Sequence, residues 1–344
     1  MKEYIKKFET AVSAHGYVIA DIPFTTSVNE IPIQNLVCNK TGKWLENDNG
    51  IVIICPPDIP NDEIHYTAAS QVTPNDTTIF GANYLPDESE FNETTSKGIL
   101  KFDGDVTNIG SNAFWFRTSL TSIEIPNSVT IIGNSAFESC SGLTSIEIPN
   151  SVTSIGDSAF SGCSNLASIE IPNSVISIGT QVFANCRNLT SITIPDSIED
   201  IGQSAFNGCS GLTSIIVDND NTVYDSRNNC NAIIETTTNT LIRGCQNTII
   251  PDSVTNIYNS AFTSCTNLTS ITIPNSVTRI NDYAFNWCSG LTSITCERTT
   301  PPTIYTNTWK NVTKSIPIYV PADSVSLYQQ AQYWSQFTNI QQIP

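Results

Sequence analysis

The segment LTSIEIPNSVTSIGDSAFSGCSN, residues 143–165, is flanked on both sides by close copies of itself. One apolar position of this segment recurs every 23 residues, at Ile125, Ile148, Ile171, Ile194 and Val217, and the same step joins Ile250, Ile273 and Cys296. Repeats of this length are typical of solenoids, because one copy has an apolar face that it can bury only against another copy. The copies are therefore predicted to stack into an elongated array.

The repeat also divides the chain. Boundaries set at the leading leucine give units 97–119, 120–142, 143–165, 166–188, 189–211, 212–244, 245–267 and 268–290, of which 212–244 is the longest. We predict four parts: an N-terminal non-repeat or attachment module at 1–60, a linker and N-terminal cap at 61–96, the array at 97–290 and a C-terminal cap at 291–344.

Within residues 143–165, the apolar positions that the copies share should point inward. The alternation from Leu143 to Ile148 predicts a short strand, which Pro149 ends by removing a backbone donor. Gly156 permits a positive φ angle, and the stretch from Asp157 to Cys163 is long enough for one helical turn with Asp157 near its cap. Each coil is expected to run as strand, corner, second extended segment and short helical turn.

Six of the eleven cysteines share one repeat position, namely Cys140, Cys163, Cys186, Cys209, Cys265 and Cys288. This placement favours a column of small buried side chains over a metal or disulfide ladder, because side chains stacked at the strand spacing have poor disulfide geometry and no CxxC pair is present. For Cys230 and Cys245 the sequence is compatible with a disulfide between them, but buried free thiols are the favoured interpretation.

The longest unit contains VDNDNTVYDSRNNCNAIIETTTNTLIRGC, residues 217–245, which predicts an additional β-hairpin near 218–244. Ile233 and Ile234 would face Leu241 and Ile242 in it. Because insertions in solenoids commonly project and bind partners, this hairpin is a candidate recognition element, and its candidate binding residues are Tyr224 and Arg227. The DNDN stretch lacks the glycine and terminal glutamate of a calcium loop, so no metal site is predicted.

An outward position between two inward isoleucines carries Glu124, Glu147, Glu170, Thr193, Ile216, Thr272 and Thr295. Residues at this position should stack about 4.8 Å apart on one sheet face. The column is either a solvated face, which is favoured, or a surface for a cation or a basic partner. Its flat polar shape suits an extended partner and offers no closed pocket for catalysis. Trp287, aligned with Gly162, is either an exposed interface anchor or a packed side chain.

Composition and motifs argue against several classes of protein. The formal net charge of −17 would repel nucleic acid and anionic lipid, and no apolar run predicts direct membrane insertion. His15 and His65 are the only histidines, and GxSxG, P-loop and GxGxxG motifs are absent. We therefore predict no catalytic, cofactor-binding or metal site, no cofactor and no enzyme.

The repeated motif LTSIxIPNSVTxIGxxAFxxCxx resembles the BspA-like leucine-rich repeat family of bacterial surface proteins along units 97–290. The resemblance implies an α/β solenoid, a right-handed leucine-rich repeat superhelix of short parallel strands and short helical turns, with a role in cell adhesion or protein binding. The C-terminal IYVPADSV resembles the end of the same family. Asp323 is predicted to cap an amphipathic helix that carries Val325, Leu327, Tyr328, Tyr333 and Trp334.

These observations favour a non-enzymatic, adhesin-type scaffold at the cell surface or in the extracellular space. It would recognise protein or glycan partners on a host or bacterial surface through the strand face and the hairpin insertion. The alternative is a phage or virion-associated receptor-binding or structural protein, which the lack of a visible signal peptide in this chain favours. An enzyme with a site in the N-terminal segment is least supported, and the ligand and oligomeric state stay open.

Overall fold

The computed structural model describes residues 59–344 and, for the backbone alone, residues 45–46 and 52–53. The chain divides into two compact units, Met1–Pro60 and Asn61–Pro344. In the first unit the described backbone forms one antiparallel pair, β1 (Leu45–Glu46) and β2 (Val52–Ile53). The predicted attachment role of residues 1–60 depends on residues that lie outside the described part.

The second unit is a β-solenoid in which most coils contribute a leading strand and a shorter second strand. The first part contains β3 (Glu63–Ala68), β4 (Glu90–Asn92), β5 (Lys97–Lys101), β6 (Asn108–Ile109), β7 (Leu120–Glu124), β8 (Ile131–Ile132), β9 (Ser145–Glu147), β10 (Ser154–Ile155), β11 (Ser177–Ile178), β12 (Ser191–Ile194) and β13 (Asp200–Ile201). The second part contains β14 (Ser214–Val217), β15 (Tyr224–Asp225), β16 (Ala232–Glu235), β17 (Thr240–Gly244), β18 (Asn256–Ile257), β19 (Ser270–Ile273), β20 (Arg279–Ile280), β21 (Ser293–Cys296), β22 (Ile318–Val320) and β23 (Ile340–Gln342).

The leading strands stack parallel and in register, as the 23-residue step predicts. Ile123 in β7 pairs with Ile146 in β9, and Ile192 in β12 pairs with Ile215 in β14. The second strands form their own sheets, in the orders β13-β11-β10-β8-β6 and β15-β16-β17-β18-β20. The predicted inward isoleucines are buried, so the repeat defines the core correctly.

The third side of each coil, from Asp157 to Cys163 in one of them, is a chain of turns and not the predicted helical turn. We call this segment the turn side. Alternate amides there bond within the coil, as from Ala159 N–H to Gly156 O, and to the next coil, as from Phe160 N–H to Val182 O at 2.9 Å. A helix would keep these bonds inside one coil, whereas the turn side uses half of them to join neighbours.

Gly156 does not have the predicted positive φ angle, and glycine is needed at this position for a different reason. A Cβ atom at this position would lie 2.7 Å from the backbone nitrogen of Asn134 in the preceding coil, so glycine permits the coils to approach. The positive φ angles fall instead at Ser158 (55°) and Gly162 (76°). Asp157 does not cap a helix; its Oδ1 accepts a hydrogen bond from the amide of Thr180 in the next coil.

A stack of phenylalanine rings lies under the turn side. Successive centroids are 5.3 to 5.6 Å apart from Phe114 through Phe137, Phe160 and Phe183 to Phe206. A second stack joins Phe262, Phe285 and Trp309. The two stacks belong to two separate hydrophobic clusters that meet at the long coil.

The repeated cysteines form the predicted column of buried thiols. All nine cysteines among the described residues are free and buried, including Cys230 and Cys245. The Cys163 thiol donates to Phe137 O at 3.2 Å, and Cys140 and Cys186 repeat this bond one coil away on each side. Burial raises the pKa of Cys140 to about 12 and that of Cys230 to about 11.

The N-terminal cap begins with antiparallel pairing. β3 pairs antiparallel with β7, and with β5 on its other side, so the strand of the first predicted unit does not stack directly on the second. Residues 90–98, at the end of the predicted linker, form the hairpin in which β4 pairs with β5. The reversed strand β3 thus supplies backbone partners along the N-terminal edge of β7.

The C-terminal cap differs from its predicted form. The parallel sheet continues through β22 and β23, and the helix α1 (Val325–Gln330) is short and lies between them. Ser324 precedes this helix, while Asp323 belongs to a 3₁₀ turn, so the predicted N-cap is wrong. Trp334 lies in a later 3₁₀ turn and donates from Nε1 to Pro302 O at 2.9 Å. Within the described residues, no helix is long and apolar enough to cross a membrane.

The long coil contains the predicted hairpin, but the hairpin does not project. Ile234 pairs with Leu241 as expected, and a bulge shifts Ile233 to Arg243. β17 then pairs parallel with β18 of the next coil, and both Ile233 and Ile234 are fully buried. The insertion is therefore part of the solenoid wall.

Replacing Phe160 with alanine should lower the free energy of unfolding by about 3–5 kcal/mol, because the ring is buried and stacked on both sides. Phe206 ends its stack, so Phe206→Ala should cost less, by about the 0.5–1.5 kcal/mol of one ring pair. Urea unfolding of the two variants measures the difference, and equal losses would contradict a stabilising role for stacking.

The buried thiols should resist labelling by DTNB at any pH below their raised pKa. A protein with Cys38→Ser and Cys55→Ser, which removes the cysteines outside the described part, should react with less than one equivalent from pH 7 to pH 9.5. All nine remaining thiols should react after unfolding in urea. Fast labelling of the native protein near pH 8.5, the pKa of a free thiol, would show that the column is open to solvent.

Candidate binding surface

The predicted column lies on the outward side of the leading strands. Glu124 pairs with Glu147 in register, and Thr272 pairs with Thr295. Glu124, Glu147, Glu170 and Thr193 are exposed, although residues 166–171 form no assigned strand. We call this surface, from Glu124 to Thr295, the strand face.

The strand face continues onto the N-terminal cap. His65 in β3 is the register partner of Glu124, so its side chain extends the column by one strand. Its Nε2 lies 2.7 Å from Glu63 Oε2, and Lys101 Nζ lies 3.8 Å from the other oxygen of Glu63. A histidine and three charged side chains thus share this end of the face.

An open cleft lies over the same end. It has a volume of about 730 Å³, and its lining includes His65, Thr67, Glu90, Asn92, Lys97 and Glu124. Lys97 pairs in register with the neutral residues Thr67 and Asn92, while Glu90 and Glu124 supply carboxylates to the same cleft. The cleft can therefore bind polar groups of either charge, while the column that leaves it is acidic.

The middle of the strand face is apolar. Ile216 is 51% exposed, and Ile249, at the same position in the next coil, is 75% exposed. Beyond them Thr272 is exposed, and Thr295 is followed in register by Tyr319. The face thus changes from acidic to apolar to hydroxyl-bearing along the array.

The candidate residues of the hairpin do not join the strand face. Tyr224 is only 6% exposed, and burial raises its pKa. Arg227 makes an ion pair with Asp225, Nη2 to Oδ2 at 2.6 Å, and its Nη1 donates to Asn239 Oδ1 at 2.8 Å. Both contacts lie within the insertion, and Arg227 Nη1 also donates to Ser253 Oγ of the next coil at 3.1 Å.

Trp287 is 55% exposed and has a positive φ of 59°. It lies on the turn side, where its amide donates to Lys310 O at 3.0 Å. Trp287 is thus accessible, but it is separate from the column.

The strand face offers carboxylate, hydroxyl and apolar groups for non-covalent contacts. Among the described residues, no group of three or more His, Cys, Asp or Glu side chains could hold a metal ion. Carboxylates and hydroxyls repeated at the strand spacing can accept hydrogen bonds from an extended partner, and the two isoleucines can bury apolar surface.

Sequence reasoning missed His65, Glu63 and the cleft. His65 lies outside the repeat, and its place depends on an antiparallel pairing of β3 that the repeat does not encode. The alternation of EIHYTA at residues 63–68 was the available signal, because it predicts a half-buried strand with His65 on the polar face.

Several bacterial leucine-rich repeat structures resemble this fold. A leucine-rich repeat protein from Eubacterium ventriosum is 20% identical, with a TM-score of 0.43 over 65% of this chain and 73% of that one. A leucine rich cell surface protein from Faecalibacterium prausnitzii is 24% identical, with a TM-score of 0.37 over 71% and 84%. The pneumococcal vaccine antigen PcpA is 16% identical, with a TM-score of 0.42 over 70% and 85%.

No curated protein sequence is significantly similar to this chain. The sequence profile of the BspA type leucine rich repeat region, in contrast, matches residues 107–234 and 239–343 in six copies. These ranges span more than half of the chain and include the coils that carry the strand face. The chain therefore belongs to the family of BspA-type leucine-rich repeat proteins.

Proposed function

We propose that this chain is a non-catalytic, adhesin-type repeat scaffold of a bacterial surface, which binds a protein or glycan partner of a host or bacterial surface along its strand face. The observation that supports this most is the in-register column from His65 through Glu124 and Glu147. The two glutamates are exposed, and the column is continuous with an open cleft. A flat surface of this kind fits an extended partner better than a small substrate.

The charge of the strand face defines the partner further. Glu124, Glu147 and Glu170 repeat at about 4.8 Å, and the whole chain has a net charge of −17. A partner with basic side chains or amino groups at a similar spacing would be attracted to this end, and added salt would weaken the association.

The apolar centre supplies the second part of the interaction. Ile216 and Ile249 are exposed in the middle of an otherwise polar column. Apolar side chains at the centre of an interface, with polar groups around them, are the usual arrangement of a binding site between proteins. An apolar group of the partner is therefore expected opposite these two residues.

The triple variant Glu124→Gln, Glu147→Gln and Glu170→Gln should weaken binding to the partner at least tenfold, because it removes the acidic part of the strand face. Binding of the full chain to immobilised matrix proteins and bacterial surface glycans first identifies the partner, and titration of each variant then measures the affinity.

The matched control is the triple variant Asp196→Asn, Glu199→Gln and Asp252→Asn. It removes the same charge from exposed positions outside the leading strands. Equal weakening by both variants would show that binding depends on net charge and not on the position of the carboxylates. No weakening by the first variant would exclude the acidic column as the binding surface.

A further inference from the structure

The long coil interrupts the hydrogen bonds of the turn side. In a regular coil the amides of Ser158, Phe160 and Gly162 donate to the next coil, at 2.8, 2.9 and 2.7 Å. Their counterparts are Ser204, Phe206 and Gly208, 46 residues later. Within the described chain these three amides have no acceptor, because the following coil forms β15 to β17 instead of a turn side.

Arg243 fills part of the missing turn side. It stands beside Gly244, whose amide donates to Ala261 O, the bond that a phenylalanine amide makes in regular coils. The Arg243 Nη1 donates to Ser260 O and Thr263 O, at 3.3 and 3.4 Å, so the guanidinium replaces main-chain donors.

The Arg243 side chain is buried without a counterion. The residue is 4% exposed, its Nε has no hydrogen-bond partner, and no carboxylate within the described chain forms an ion pair with it. Its other contact is from Nη2 to the Cys265 sulfur at 3.8 Å. A buried charge is normally paired, so this arrangement lacks an anionic group.

Arg243 and two of the three residues with unpaired amides, Ser204 and Phe206, line one small cavity. It has a volume of about 30 Å³, and its walls include Ser204, Phe206, Arg243 and Ser260. A space of this size holds about one or two water molecules, or an ion of similar size. The amides of one wall and the guanidinium of the other are donors only, and the guanidinium adds a full positive charge.

We infer that this cavity binds a small monovalent anion of the chloride type. The cavity lies in the interval where the long coil lacks a turn side, between the turn sides of coils 189–211 and 245–267. The anion accepts hydrogen bonds from Arg243 Nε and from the Phe206 amide, and it compensates the buried charge. Since the two phenylalanine stacks end on either side of this interval, the bound anion joins the two halves of the array. This role is independent of the strand face.

Chloride nuclear magnetic resonance tests the site on the full chain. The ³⁵Cl signal should broaden in proportion to the protein, and bromide should reverse the broadening by competition. Arg243→Gln should lose most of this effect. The matched control Arg187→Gln, which removes the same charge from an exposed position of a neighbouring coil, should keep it. Equal broadening by the wild type and the Arg243→Gln protein would overturn the inference.

A second measurement is needed in case Arg243→Gln does not fold. A crystal of the unaltered chain grown in sodium bromide should show an anomalous scattering peak beside Arg243 Nε. A cavity that holds only water under these conditions would also overturn the inference.

Discussion

The hydrogen bond from an amide of one turn side to a carbonyl of the next is the interaction on which the rest of the solenoid depends. The bond from Phe160 to Val182 recurs at every regular coil and sets the coils in register. That register places the phenylalanine rings on one another and brings the thiols of the repeated cysteines, such as Cys163, to carbonyls of the preceding coil. Gly156 is part of the same requirement, because the coils approach too closely for a Cβ atom at that position.

The long coil shows what happens where this bond cannot form. Its ten additional residues are used in the second sheet, and the turn side is lost for one layer. Arg243 supplies donors in place of amides on one wall, but it supplies no acceptor for Phe206 and its neighbours on the other. The hydrophobic core divides at the same place. This departure from the repeat therefore leaves the Arg243 Nε and the amides of the facing coil unpaired at the same position of the array.

The strand face follows from the same register. Because Glu124 and Glu147 are paired residues of parallel strands, identical positions of the repeat become neighbours on one surface. The predicted column was therefore readable from spacing alone. His65 was not readable in this way, because it reaches the column through an antiparallel strand of the cap. Tyr224 and Arg227 are candidate binding residues only if the insertion projects from the solenoid. The apolar hairpin beside them is instead buried in the solenoid wall.

One 23-residue pattern, repeated at a constant step on each side of the long coil, is enough to predict the period, the inward residues, the parallel register and the buried cysteines. It did not determine the turn side. The segment from Asp157 to Cys163 is compatible with a helical turn when considered alone. It forms a chain of turns because alternate amides donate hydrogen bonds to carbonyls of the neighbouring coil. The caps and the Arg243 cavity were likewise decided by tertiary structure, because their donors and acceptors are distant in the chain and meet only when the coils stack.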